Sequence, residues 1–335
     1  MPLTKTTLTS TRSRMEFEAS SSCPACASSN WFDVGSSGPK VFRRRWCMEC
    51  DLIFTSPMLA ADSAWYASSW IYGLREMPGH SIKREGRVPW NFAQALRRMG
   101  SGKGSTLLDV GCAEGQFLHL AAKAGFEVTG MDFNPASLEI ARKLPGVSEV
   151  YLCSVGELGD RLHGKQYDVV TLFEVLEHTA DPFQTVLSIH RLLKPGGRLF
   201  LSVPGNRRWP GFFHPEVDAP PHHLTLWSEA ALVRLLERAG LRVHGVEIKP
   251  LGAEDLGIHL KWRWHDAVRK LRPKPSHRAT TDENNPVAGQ FAGRPNRGAG
   301  IVRGLARLGL SPICWMLRSN PKAGGFTLFA HGEKA

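Results

Sequence analysis

The sequence predicts an α/β protein in which helices cover a mostly parallel β-sheet, with a small metal-stapled unit before it. Strand-like and helix-like patterns alternate between residues 105 and 250, and this alternation is typical of a parallel sheet. Two C-x-x-C pairs occur near the start of the chain. The chain has 335 residues, and an ordinary domain has about 100–200, so the sheet and the metal unit are expected to be separate.

The elements follow one another in a definite order. Residues 58–104 are rich in Trp and Tyr and are predicted as a helical linker or substrate cap. From 105 to 250 the predicted strands are TLLDVGC, FEVTGMD, EVYLC, YDVVTLFEV, GRLFLSV and LRVHGVEI, and the helices are GQFLHLAAKAG, PASLEIARKL and EAALVRLLERAG. Residues 251–320 are predicted as a basic helical insertion with a mobile loop at 273–300, and residues 321–335 hold a final strand, FTLFAH.

The N-terminal part is predicted as a disordered tail (1–19) followed by a compact unit (20–57). Seven cysteines, an odd number, and no secretory apolar stretch favour metal ligation in a reducing, cytoplasmic compartment over a disulfide framework. The spacing of the two C-x-x-C pairs matches a zinc ribbon, in which four thiolates close a structural Zn²⁺ site. Its ligands would be Cys23, Cys26, Cys47 and Cys50.

Composition and the distribution of charge indicate a soluble protein and disfavour a nucleic-acid enzyme. Hydrophobic residues make up 42% of the chain and charged residues 22%, as in a soluble protein with a core. The formal net charge is +11, yet residues 101–250 carry 15 basic side chains against 17 acidic ones. A nucleic-acid enzyme is expected to line its catalytic domain with positive charge, so nucleic acid is disfavoured. The basic run Arg43–Arg45 is predicted to be a solvated strand edge, with contact to an acidic substrate group as the alternative.

The basic insertion is predicted to be a lid over the substrate. Leu256, Leu260, Trp264 and Leu271 fall on one helical face, which would pack on the catalytic domain. A basic amphipathic helix also sits on anionic lipid, so peripheral membrane contact is the alternative. The oligomeric state is not predicted.

The strongest chemical pattern is LLDVGCAEGQF at 107–117. An apolar strand runs into Asp109, and a turn containing Gly111 and Gly115 then opens a helix, whose N-terminus supplies N–H groups. Asp132 closes the next strand, where an acid can accept both ribose hydroxyls. The turn does not read G-x-G-x-x-G, so it is not a dinucleotide fingerprint.

Together with FEVLEH and LLKPGGRLFLSVP, these blocks resemble the class I S-adenosylmethionine-dependent methyltransferases over residues 105–250. The resemblance implies a Rossmann-like sheet of seven strands, mostly parallel with an antiparallel last strand, and S-adenosylmethionine as cofactor. An unrelated nucleotide-binding domain is the alternative. The ribbon and the aromatic-rich segment after it resemble the ribbon that precedes certain bacterial methyltransferases acting on sugars and other small metabolites.

The resemblance also implies roles for individual residues. Asp109 would hold the amino-acid end of the cofactor, and Asp132 would bind the ribose. Ala113 stands where relatives mostly have Gly. The remaining positions would line the turn, contact the adenine or face the methionine portion: Gly111, Cys112, Ala113, Gly115, Phe133, Ser154, Val155, Phe173 and Glu174.

A hydroxyl or carbon acid that attacks a methyl group must lose its proton to a base. The segment 215–228 follows the fifth strand, and loops at the carboxyl ends of strands hold ligands in open sheets. His222 and His223 are therefore the candidate catalytic residues, with a purely structural pair as the alternative. Adjacent side chains on an extended loop point in opposite directions. His223 is preferred because it adjoins the apolar Leu224, a candidate anchor of the loop.

The segment from Glu174 through Glu177 to His178 resembles the E-x-x-E-H of ubiquinone-pathway O-methyltransferases, where these side chains can hold a divalent ion. The preferred interpretation is structural, with the histidine capping the loop.

These observations predict a methyltransferase that acts on a small molecule, such as a sugar or a secondary metabolite, with O-methylation preferred to C-methylation. An RNA methyltransferase is one alternative, suggested by the ribbon and a pI of about 9.5. The near-neutral middle segment argues against it, as does the absence of an N/D-P-P-Y/F tetrad where FEVLEH stands. The other alternative is a non-catalytic module that only binds the cofactor.

Overall fold

The computed structural model describes most of the chain up to residue 252 and the C-terminal end. The described residues are 21–36, 38–39, 41–62, 65–66, 88–206, 217–252, 255 and 324–335. The predicted tail (1–19) and nearly all of the basic insertion, with its loop at 273–300, lie outside these ranges. Within them, no helix is long and apolar enough to cross a membrane.

A small antiparallel sheet forms the N-terminal unit. Its first strands are β1 (Trp31–Ser36), β2 (Arg43–Cys47) and β3 (Ile53–Ser56), paired in sequence order. The two C-x-x-C pairs lie before β1 and at the end of β2. This arrangement brings the four cysteines together and agrees with the predicted four-Cys unit.

Eight further strands and six α-helices follow within the described ranges. The strands are β4 (Thr106–Val110), β5 (Glu127–Asp132), β6 (Val147–Leu152), β7 (Tyr167–Phe173), β8 (Leu193–Pro204), β9 (Thr225–Leu226), β10 (Leu241–Pro250) and β11 (Gly324–Lys334). The helices are α1 (Trp90–Met99), α2 (Gln116–Lys123), α3 (Pro135–Ala141), α4 (Leu158–Arg161), α5 (Pro182–Leu192) and α6 (Glu229–Arg238).

Seven of these strands form the main sheet in the order β10-β11-β8-β7-β4-β5-β6. Strands β4 to β8 pair in parallel, and β11 is antiparallel to both of its neighbours. Leu107, Leu108 and Val110 of β4 are completely buried, as expected of a parallel strand covered on both faces. The predicted seven-stranded sheet and its antiparallel last strand, FTLFAH, are confirmed.

Local sequence explains where the helices begin. Asn134 and Asp181 cap α3 and α5 by accepting backbone N–H groups, and a proline occupies the first turn of each helix. Ser228 caps α6 in the same way. Helix α5 was not among the predicted elements, although its Asp–Pro start is a recognised signal.

Helix α1 lies in the segment predicted as a linker or cap, and it packs on the main sheet. The Trp90 ring contacts Phe329 of β11 with centroids 6.1 Å apart. At the other end of the helix, Arg198 donates to the backbone oxygen of Arg98 at 2.9 Å, and Arg98 pairs with Glu247. This part of residues 58–104 therefore covers the sheet.

Candidate active site

The turn between β4 and α2 is shaped by residues with positive φ. Gly111 has φ +75°, and a Cβ atom there would lie 2.4 Å from Cγ2 of Val175, so only glycine fits without displacing a neighbour. Ala113 has φ +47°, in the left-handed region that favours glycine. This explains in physical terms why glycine suits the position, and why Ala113 costs some backbone strain.

Asp132 lies at the carboxyl end of β5, beside this turn. It is 5% exposed, and its two oxygens accept N–H groups from Ala113 at 2.9 Å and from Asn134 at 2.8 Å. The two backbone donors fix the carboxylate at the edge of the sheet. Because each carboxylate oxygen has two lone pairs, it can accept a further hydrogen bond from a ligand hydroxyl.

Asp109 is buried one strand away, at the end of β4. Oγ1 of Thr171 donates to its carboxylate at 2.6 Å. Burial raises the pKa of Asp109 to about 7, and the negative charge of Asp132 adds to this effect. A nearby cation would therefore be needed to keep Asp109 ionised well below neutral pH.

The end of β7 carries Glu174 in a left-handed conformation, with φ +55°. Its Oε1 accepts a hydrogen bond from Ser202 at 2.9 Å, and the Ser202 hydroxyl accepts one from Asn91 of α1 at 2.9 Å. Sequence reasoning missed both residues: no motif marks Asn91, and Ser202 lies in the block LLKPGGRLFLSVP without having been given a role. This chain of hydrogen bonds fixes Glu174 on the face where the methionine portion of the cofactor is expected.

Aromatic side chains border the same region. The Phe173 ring packs against Phe92 and Phe117, with centroids 5.0 and 4.8 Å apart. Phe133, expected to pack on the adenine, lies 5.2 Å from the ring of Tyr66. Tyr66 belongs to the Trp/Tyr-rich segment, and its ring lies between Phe133 and the histidines described below.

The other predicted cofactor residues lie around the same edge. Ser154 caps the turn that begins at Val155, and both its backbone N–H and its hydroxyl donate to Glu157 at 2.7 Å. Burial raises the pKa of the Cys112 and Cys153 thiols, so neither is a ready nucleophile at neutral pH.

Three histidines form a second cluster, which we call the histidine cluster: His178, His222 and His223. Their ring centroids are 4.5 to 5.0 Å apart, and His222 and His223 stack with planes 17° apart. The expectation that His222 and His223 point in opposite directions is wrong. The loop is a turn and not extended, because both of their N–H groups donate to Ala219 O at 3.1 Å.

Each ring of the histidine cluster has an acceptor at Nδ1. His178 contacts the backbone oxygen of His222, and His222 contacts that of Val217 at 2.7 Å. Nδ1 of His223 lies 3.3 Å from Oδ1 of Asp218, a carboxylate that sequence reasoning did not single out. The Asp218 carboxylate therefore lies on the Nδ1 side of His223 at ion-pair distance, and both residues are buried.

The N-terminal unit holds the loop that carries His222 and His223. Strand β9, which follows His223 and Leu224 in the chain, pairs with β3 and becomes the fourth strand of the small sheet. Thr55 donates its N–H to Leu224 O at 2.9 Å, and Leu224 donates its own to Glu177 O at 2.8 Å. The loop is thus fixed between the four-Cys unit and the turn after β7.

Two further contacts come from the β1–β2 hairpin. The side chain of Arg44 is 9% exposed and donates to the backbone oxygen of Asp218. A Cβ atom on Gly38 would lie 2.5 Å from Pro220 O, which shows how closely the hairpin approaches the loop.

The neighbouring Arg45 is as buried as Arg44, and its guanidinium lies 3.7 Å from the centroid of the Trp31 ring. The expectation that this whole basic run is a solvated edge holds for Arg43 alone, whose side chain is 69% exposed.

The four cysteines have the geometry of a tetrahedral site. The Sγ atoms of Cys23 and Cys50 are 3.6 Å apart, and those of Cys26 and Cys47 are 3.5 Å apart. Sulfurs about 2.3 Å from a zinc ion are separated by about 3.8 Å in a tetrahedron. The hydrogen bond from Cys50 lowers the pKa of Cys23 to about 6, whereas burial raises that of Cys47 to about 11. All four can be thiolates together only with a cation among them.

Among the residues that the structure describes, the two groups close enough to share a metal ion are these four cysteines and the histidine cluster. Glu174 and Glu177 do not join His178 in such a group. The structure therefore gives no support to an ion held by the E-x-x-E-H segment alone.

Known proteins match the part of the chain that follows the four-cysteine unit. A family model described as a methyltransferase domain matches residues 85–246. A ubiquinone biosynthesis O-methyltransferase of Saccharophagus degradans is 32% identical over 175 residues, which cover 46% of this chain and 74% of the relative. One from Coxiella burnetii is 30% identical over 163 residues, covering 42% of this chain and 69% of the relative.

A solved structure, a SAM-dependent methyltransferase from Archaeoglobus fulgidus, is 18% identical and superposes with a TM-score of 0.48. The superposition covers 79% of this chain and 99% of the other.

Proposed function

The chain belongs to the class I S-adenosylmethionine-dependent methyltransferases, and from this membership we propose that it methylates a hydroxyl group of a small molecule beside the histidine cluster. It is an enzyme, and S-adenosylmethionine is its methyl donor. The relatives are named for O-methylation in ubiquinone biosynthesis, which supports an oxygen acceptor. The observation that carries the proposal is the contact of Tyr66 with both Phe133 and the rings of His178 and His222.

The cofactor half of the site is built to bind and orient. When bound, S-adenosylmethionine supplies an activated methyl group, so the protein has mainly to align the acceptor with it. Asp132 would accept hydrogen bonds from the ribose hydroxyls, Asp109 would face the amino-acid end, and the backbone of the turn at Gly111 would line the donor. Alignment of two reactants can contribute on the order of 7–11 kcal/mol to catalysis.

The acceptor half removes a proton. His223 takes the hydroxyl proton on Nε2 as the oxygen attacks, and Asp218 stabilises the resulting imidazolium from the Nδ1 side. His223 is 7% exposed and Asp218 is 1% exposed, so water competes little with either contact. The carboxylate–imidazole pair favours His223 over His222, whose Nδ1 faces only a neutral carbonyl.

The four cysteines hold a structural zinc ion in this proposal. The sulfur separations of 3.6 and 3.5 Å and the need for a counter-charge support it. Elemental analysis should find one equivalent of zinc bound to the cysteines. Chelation should disorder the N-terminal unit and reduce turnover while S-adenosylmethionine still binds. Full turnover by the zinc-free protein would contradict the proposed link between the ribbon and the histidine loop.

The function itself is tested by incubating the protein with methyl-labelled S-adenosylmethionine and fractionated cell extract. Label should appear in a small-molecule fraction, in an alkali-stable, ether-type linkage. Asp132→Ala is the matched control, because it should bind the donor poorly at the same concentration. Label in RNA, or none in any fraction despite measurable donor binding, would overturn the proposal.

A further inference from the structure

The histidine cluster has chemistry beyond the removal of one proton. One ring nitrogen from each of His178, His222 and His223 lies within 4.8 Å of the other two. We propose that this cluster binds one divalent transition-metal ion of the zinc class, and that the ion competes with the acceptor's proton for Nε2 of His223. This rests on the proposed function, since it makes the base of that reaction open to inhibition by a metal.

The contacts at Nδ1 indicate which nitrogen of each ring would bind the ion. A carbonyl oxygen only accepts, so Nδ1 of His178 and Nδ1 of His222 each carry a proton toward one. Nδ1 of His223 lies 3.3 Å from the Asp218 carboxylate, at ion-pair distance. Coordination then falls to Nε2 of each ring. Metal-binding histidines almost always give their other N–H to a carbonyl or a carboxylate. His178 and His222 have that arrangement, and His223 has the carboxylate on the same side of its ring.

Buried carboxylates lie beside the histidine cluster. Glu177 is completely buried, with Oε1 3.7 Å from Nε2 of His178, and Asp218 is buried beside His223. The guanidinium of Arg44 meets the backbone oxygen of Asp218 on the ribbon side. Two buried carboxylates beside the three imidazoles place negative charge next to the cluster, which favours a cation over an anion there.

The donor set selects the kind of ion. Imidazole nitrogens suit zinc, copper, iron and nickel, whereas magnesium and calcium prefer oxygen. Three protein ligands leave one position of a tetrahedron for solvent or another ligand. The ion is therefore expected to exchange, unlike one enclosed by four cysteines.

The competition follows from one electron pair. Methyl transfer would form the new O–CH₃ bond as the donor's S–CH₃ bond breaks, with the sulfur keeping that electron pair. The hydroxyl proton would pass to the Nε2 lone pair of His223, which becomes an N–H bond. With the ion bound, that lone pair forms the nitrogen–metal bond, so the proton has no acceptor at His223. The metal-bound protein should bind S-adenosylmethionine and fail to turn over.

The first test measures binding of the metal alone. After dialysis against zinc chloride, the wild-type protein should hold one more zinc per chain than His178→Gln. The exposed His163 lies outside the cluster, so His163→Gln should match the wild type. Equal zinc contents in wild type and His178→Gln would overturn the site. This readout does not depend on activity, so it separates the metal site from the proposed function.

The second test measures turnover of the labelled small-molecule fraction. Zinc should inhibit the wild type without changing S-adenosylmethionine affinity, measured by calorimetry. With turnover of each protein expressed relative to its own zinc-free value, the inhibiting zinc concentration should be at least about tenfold higher for His178→Gln, which has lost one ligand. Activation by zinc, or equal inhibition of both proteins, would overturn the competition.

Discussion

The cofactor half and the acceptor half of the site are assembled differently. The cofactor half comes from consecutive strand–turn–helix units, and Asp109, Gly111 and Ala113 all lie within one such unit. The acceptor half joins three distant segments: the ribbon, the turn after β7 and the 217–228 loop. The first half can therefore change affinity for the donor alone, and the second can change catalysis while leaving donor affinity intact. Four predictions would break or sharpen this division.

The largest effect is expected at the base. His223→Ala should lower kcat by roughly 10²–10⁴, the usual contribution of a positioned general base. Calorimetry should show unchanged S-adenosylmethionine affinity, because His223 belongs to the acceptor half. His222→Ala should lower kcat by a smaller factor, since Nδ1 of His222 faces the backbone oxygen of Val217 and not a carboxylate. If both variants keep full turnover, the loop only shapes the pocket, and Glu174 or Glu177 becomes the next candidate.

The complementary change lies in the cofactor half. Asp132→Ala removes a charged hydrogen-bond acceptor, and such bonds contribute about 1.5–3 kcal/mol. Donor affinity should fall by the corresponding factor, roughly 10 to 150. At saturating donor, kcat should change little. Unchanged affinity in a calorimetric titration would mean that the ribose lies elsewhere.

A smaller effect is expected where the ribbon reaches the acceptor half. Arg44→Met keeps the length of the side chain but loses the hydrogen bond to Asp218 O. Because Asp218 orients His223, kcat should fall about tenfold, as for a partner one step removed from the reaction, and the pH profile of kcat should shift. Arg44→Lys should restore part of the activity.

Arg43→Met is the matched control for this contact. Arg43 is the exposed neighbour of Arg44, and its Nη1 lies 3.9 Å from Asp33. Such an exposed pair contributes little, so activity and pH profile should match the wild type. A pH profile unchanged in Arg44→Met would mean that Arg44 only stabilises the fold.

The same division shows what the sequence can and cannot predict. The seven strands and the turn after β4 follow from local patterns of apolar residues and glycines. The contact between Arg44 and Asp218 joins residues 174 positions apart, and no local pattern marks it. The common direction of His222 and His223 depends on Ala219 O accepting both N–H groups. Alternation along a strand cannot anticipate a turn of that kind.

The last prediction concerns protons in the cofactor half. Burial raises the pKa of Asp109 to about 7, so without a ligand the carboxyl is largely protonated below that pH. The amino group of the bound donor is a cation, which favours the ionised carboxylate and lowers this pKa. Binding should then release a proton near pH 6.5. Donor affinity should rise with pH by less than tenfold per unit and level off above about pH 7.

Calorimetry in buffers of different ionisation enthalpy counts the protons released when the donor binds. Donor binding to Asp109→Asn should release none. The same raised pKa has a consequence for stability. An acid whose folded pKa exceeds its unfolded value, about 3.9, stabilises the fold most below that value and loses this contribution as pH rises to about 7. The free energy of unfolding without donor should therefore fall over that range in the wild type more than in Asp109→Asn. Identical proton release by the two proteins would show that Asp109 does not sense the amino-acid end, and that the turn backbone alone holds it.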